Sequence, residues 1–158
     1  MMDHPTEDPI CPACLGDPAL FGAMLDGDDT PPLPSLNDPE GDHLPSSLPP
    51  VVDAHVHLFD GRLFEAIWRW FDARAWPVRY RLKTPEVIPF LLSRGVSHIV
   101  ALQYAHKPGM ADVMNRWMAD VVSEHPQVTG LATAFPGEPD VGVILSEAFD
   151  AGLKGVKV

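Results

Sequence analysis

The sequence predicts an α/β fold of parallel strands alternating with helices, behind a tail that is mostly disordered. Three observations predict it. Apolar runs of strand length begin at Val51, Val96, Val128 and Leu153. Helical patterns with recognisable end signals separate them. Residues 1–50, by contrast, hold 11 of the 18 prolines and 10 of the 22 acids, and no Lys or Arg.

The tail offers no period to build on. Runs such as Asp28-Asp29-Thr30-Pro31-Pro32-Leu33-Pro34 fit neither a helix nor a strand, and so acidic and proline-rich a composition cannot bury enough apolar surface to offset chain entropy. Ala19 to Leu25 offers one short apolar turn. The boundary is expected near Pro49-Pro50, giving a Pro-rich acidic extension over 1–50 and a folded part over 51–158. Of the formal charge of -11, the tail carries -10 and the folded part -1, so the domain presents no basic stripe for phosphates and nucleic acid is excluded as a partner. No stretch reaches the roughly 18 apolar residues of a membrane span, and Met1-Met2-Asp3-His4 has neither a basic nor an apolar leader region. A cytoplasmic location and no membrane partner are the expectation.

Val51 to Leu58 is the first strand. Residues 61–75 set Leu63, Ile67, Phe71 and Ala75 at spacings of four, with Phe64 and Trp68 alongside, the apolar stripe of an amphipathic helix behind an Asp60 cap. A second helix starts at Thr84-Pro85-Glu86, with Thr84 as cap, Pro85 in the first turn and Gly95 ending it in the left-handed conformation. Val96 to Gln103 is the next strand. The helix from Met110 to about Glu124 gathers Met110, Val113, Met114, Trp117 and Val121 on one face, with His125 at its end. Val128 to Phe135 is the third strand, Asp140 caps a helix to about Ala151, and Leu153 to Val158 is a fourth strand.

Strands alternating with helices require right-handed crossovers and a parallel sheet covered on both faces. The fold class is therefore the (β/α)8 TIM-barrel type. Four units within residues 51–158 are about half of what the roughly 250 residues of a full barrel contain.

Side chains alternate along a strand, so Asp53, His55 and His57 share one face, and Val52, Ala54 and Val56 share the other. In a barrel the apolar face meets the helices. The polar face lines the interior, with the two histidines toward the C-terminal mouth where barrel active sites lie. Two imidazoles placed there can reach one cation.

The run Val51-Val52-Asp53-Ala54-His55-Val56-His57-Leu58-Phe59 resembles the opening strand of the amidohydrolase superfamily, in particular its amidohydrolase-related branch, which includes decarboxylases of the aminocarboxymuconate semialdehyde type. The unit order is similar too, and Gly152-Leu153-Lys154-Gly155-Val156-Lys157-Val158 is similar to that branch's fourth strand. The resemblance covers residues 51–158. It implies that His55 and His57 are ligands of a divalent metal, most commonly zinc, and that the chemistry is attack of a metal-activated water on a polarised carbonyl of a small-molecule amide, ester or lactone. A non-oxidative decarboxylase on the same scaffold is the alternative within the family. The remaining ligands and the catalytic aspartate are expected beyond Val158. From a different class comes the alternative of an inactive partial barrel with a binding or assembly role.

Asp53 is expected to support the ligands rather than to bind metal; His106, in the loop Tyr104-Ala105-His106-Lys107-Pro108-Gly109, is either a solvent-exposed loop histidine, the commoner case, or a residue at the mouth that touches substrate. Lys157 near the end of the fourth strand and Arg79, Tyr80 and Arg81 in a loop are read as solvated. Cys11-Pro12-Ala13-Cys14 is half a zinc knuckle, with His4 and His43 alone available to complete it, so two reduced thiols are expected. An open sheet exposes two edges, and a homo-oligomer is one way of closing them.

Overall fold

The computed structural model describes residues 41–158; the disorder expected of residues 1–40, the turn at Ala19–Leu25 and the Cys11/Cys14 pair with His4 lie outside the described residues. Within the described part the elements run β1 (Val51–His57), α1 (Gly61–Arg74), α2 (Thr84–Ser93), β2 (Val96–Leu102), α3 (Ala111–Glu124), β3 (Val128–Gly130), β4 (Ala132–Thr133), α4 (Val141–Asp150) and β5 (Val156–Lys157). The fold is mixed α/β, and every strand pairing is parallel. Residues 41–50 form no helix or strand. They are tied to the end of α2, where the Leu44 N–H donates to the Arg94 carbonyl at 2.8 Å and the Arg94 guanidinium donates to the Gly41 carbonyl at 2.8 Å.

The strands order as β1-β2-β3 in one sheet and β4-β5 in a second. The single long third strand expected over Val128 to Phe135 is therefore interrupted at Leu131. Leu131 is the hinge between two partners: its N–H donates to the Ala101 carbonyl on one side at 2.8 Å, while Gly130 accepts from the Lys154 N–H on the other, also at 2.8 Å. The fourth strand is likewise shorter than Leu153 to Val158, with Val156 and Lys157 paired to Ala132 and Thr133. Leu153 itself is buried, packed into the core ahead of the strand.

The apolar core lies between sheet and helices. Val56 and Leu58 from the first strand and its exit, Ile99 and Ala101 from β2, Ile88 from α2 and Met118 from α3 are all buried in it, together with Ala148 and Leu153. Gly130 lets α3 approach: a Cβ there would stand 2.8 Å from Met118 Cγ and from Val122 Cγ2, closer than carbon atoms pack.

Several local expectations are corrected by the packing. Thr84 does not cap α2; Lys83 is the cap residue. The Thr84 hydroxyl is buried and donates to the Phe59 carbonyl at 2.9 Å, while the Glu86 carboxylate accepts from the Lys83 N–H at 2.8 Å. Asp140 precedes α4 in the left-handed conformation and makes no side-chain cap bond. Asp60 does cap α1, accepting from the Arg62 N–H at 3.1 Å, and Gly95 does follow α2 with φ of +97°. On α3 the buried face is Ala111, Met114, Asn115 and Met118, whereas Val113 is exposed; a one-residue rotation of the face brings Asn115 inward, where it finds hydrogen-bond partners. On β1, Val52 and Ala54 are exposed rather than helix-covered, whereas Val56 and, just after the strand, Leu58 are buried in the core.

Candidate functional site

The site grows from the irregular first strand. β1 pairs with β2 from Val51↔Val96 to His57↔Leu102, but its register shifts between Val51 and Val52 and again between Asp53 and Val56. The second shift gives β1 one residue more than its partner, a bulge of the kind that re-aims side chains beside functional sites. The Asp53 carboxylate sits on it, accepting the His55 N–H at 3.1 Å. Asp53 therefore acts on the backbone that carries the histidine.

Beyond the bulge, His55 and His57 turn toward each other. Their Nε2 atoms are 3.3 Å apart, and the ring centroids 5.1 Å. Two ligands bound at about 2.0–2.1 Å to a tetrahedral ion stand roughly 3.3 Å apart, so this pair has the spacing of one edge of a zinc tetrahedron. The donor chemistry, two imidazole nitrogens, suits zinc as well.

His57 is the better walled of the two. Phe59 stacks beside its ring and Tyr104 meets it edge-on, each at 5.7 Å. Burial pushes the His57 imidazole below its ordinary pKa, and the charges of His55 and Lys157 push the same way. Its Nδ1 is buried and has no hydrogen-bond partner among the described residues. The neutral ring, the form that binds a metal, is thus the one the surroundings favour. Among the described residues no group of three or more His, Cys, Asp and Glu side chains converges as a metal cage.

The remaining predicted residues fall around this pair or away from it. His106 is exposed and lines a cavity of about 400 Å³ together with Phe59 and Tyr104. Lys157, read as a solvated end residue, sits close enough to act electrostatically on His57. Arg81 is paired with Asp72 at 2.5 Å, and Tyr80 packs on Phe90. His98 meets the Thr129 hydroxyl across β2 and β3 at 2.8 Å, and His125 is the C-terminal cap residue of α3. The His43 ring packs on Gly95.

Phe59, Tyr104 and Gln103 were not singled out from the sequence. Register supplies the missing signal for the first two: His57 pairs with Leu102, so the residues two further along each chain, Phe59 and Tyr104, come out side by side, with centroids 5.4 Å apart. Gln103 is buried, donates to the Met114 carbonyl at 2.7 Å and keeps an unpartnered side-chain oxygen; nothing in its sequence context marks it. Compared with known proteins, the chain matches no family model, no curated protein and no solved structure.

Proposed function

We propose that residues 51–158 form the first three strand–helix units and the fourth strand of a metal-dependent (β/α) barrel of the amidohydrolase-related type, and that the site hydrolyses a small amide, ester or lactone. The observation that carries this reading is the 3.3 Å separation of His55 Nε2 and His57 Nε2 at the C-terminal end of the first strand. That end is where barrel enzymes place their chemistry. The sequential parallel order β1-β2-β3 supports the architecture.

A bound divalent ion, zinc by the donor set, would supply Lewis-acid activation of water and of a carbonyl. The chain's own residues supply the rest. His55 and His57 would hold the ion from one side, with Asp53 fixing the backbone N–H of His55. Phe59 and Tyr104 screen His57 from water and so keep its ring neutral.

The test is turnover by the full 158-residue chain loaded with zinc, cobalt or manganese, on a panel of activated esters, lactones and anilides. Weak metal binding with at most slow metal-dependent hydrolysis is the expected result, because two imidazoles fall short of the three protein ligands usual for a catalytic zinc, and His57→Ala should remove both. Stoichiometric metal with no turnover on any substrate would point to a binding role instead, and release of carbon dioxide from aromatic acids would point to the decarboxylase.

A further inference from the structure

The sequence pattern puts Leu63, Ile67, Phe71 and Ala75, with Phe64 and Trp68 alongside, on the apolar stripe of α1; Phe64 is buried, and Leu63, Ile67 and Trp68 pack against the cluster of Phe59, Phe64 and Met114. Leu63, Ile67 and Phe71 remain half-buried. With Ala66 and Trp70 they occupy positions i, i+3, i+4, i+7 and i+8 of one helical stripe, and that stripe forms one wall of the 400 Å³ cavity. Phe59, Tyr104 and His106 line it as well. Its volume falls within the range of small-molecule sites.

Two features define what fits. The cavity is one layer of side chains from His57, because Phe59 and Tyr104 both border the His57 ring and line the cavity. No Lys, Arg, Asp or Glu is among the described residues that line it, while four of them, Phe59, Trp70, Phe71 and Tyr104, present aromatic rings. A carboxylate or ammonium placed there would lose its hydration without gaining a partner, whereas a flat ring would gain edge and face contacts.

Resting on the reading of the histidine pair as a metal site, we propose that this cavity seats a neutral aromatic group of the substrate, next to the bond to be cleaved at His55 and His57. The substrate class is then an aryl or arylalkyl amide or ester with no charge on its aromatic portion. Tyr104, His106 and the Trp70 indole supply the side-chain polar groups of the lining. The α1 stripe is the specificity wall.

Binding of a matched pair of probes tests it, using the full chain after chelator treatment so that no metal is present. Naphthalene-2-carboxamide and naphthalene-2-carboxylate have the same ring system and differ in charge. Calorimetric titration and backbone amide shifts should show saturable binding of the carboxamide, with shifts at Ala66, Phe71 and Tyr104. The carboxylate should bind at least tenfold more weakly. Ala66 is exposed on the helix and small, so Ala66→Trp fills the cavity from the solvent side and should weaken the carboxamide at least tenfold; Phe71→Ala should weaken it by a smaller factor. Absence of carboxamide binding, equal or tighter carboxylate binding, or indifference to Ala66→Trp would each overturn the proposal. Zinc titration of the same samples separates the two readings: carboxamide binding without zinc binding upholds the cavity and defeats the metal site, and the reverse result does the opposite.

Discussion

Asn115 on α3 closes both backbone groups of Thr133 on β4: its side-chain oxygen accepts the Thr133 N–H at 2.7 Å and its side-chain nitrogen donates to the Thr133 carbonyl at 3.0 Å. All of these atoms are buried. The Thr133 hydroxyl in turn accepts the Ala105 N–H at 3.0 Å. One amide thus couples a helix, a strand and the loop that carries Tyr104 and His106 to the site.

Asn115→Ala should therefore cost stability and loosen that loop. Orphaned buried backbone groups cost about 1–3 kcal/mol, and a loss in that range is expected from denaturant unfolding. Amide exchange should speed up at Ala105 and Thr133 before it does at Met118. A variant as stable as the parent would show that these groups find other partners.

The pH dependence of stability follows from His57. Its pKa is lowered in the folded state, chiefly by burial, so in acid the unfolded chain takes up the proton more readily than the folded one. The contribution is fully present above the ordinary imidazole value of about 6.5 and is lost as pH falls through the lowered folded value. Unfolding measured with chelator present should show stability falling as pH drops below about 6.5, and His57→Gln should flatten part of that fall. An unchanged slope in the variant would remove His57 from the account.

Sheet edges make a third expectation. Among the described residues β1 pairs only with β2 and β5 only with β4, and Val52, Val156 and Val158 are exposed beside these edges. Unpaired edges with apolar side chains recruit other strands. Sedimentation should show mass rising with protein concentration, and Val52→Lys should lower it. A monomer at every concentration would mean the edges are protected.

The element order and the facing histidines were legible because they depend on short-range rules: period, capping and alternation. Gly95 and Asp60 behaved as end signals for the same reason. Tertiary packing decided the rest. Thr84 found the Phe59 carbonyl before it could cap its own helix. The Val128–Phe135 run divides at Leu131 because its two halves face different neighbours, a fact no local pattern records. The bulge at Asp53 to Val56 breaks the simple alternation that groups Asp53 with the histidines. Part of the apolar stripe on α1 became a cavity wall, since hydrophobic period alone does not say whether a partner fills it.

The central claim is that His55 and His57 together hold a divalent ion. Its most direct test is calorimetric titration of zinc into the full chain carrying Cys11→Ser and Cys14→Ser, so that thiols do not compete, alongside His55→Ala and His57→Ala in the same background. The account predicts one zinc per chain, at least tenfold weaker binding in either single variant, and no binding in the double variant. Zinc affinity unchanged by both substitutions would contradict it.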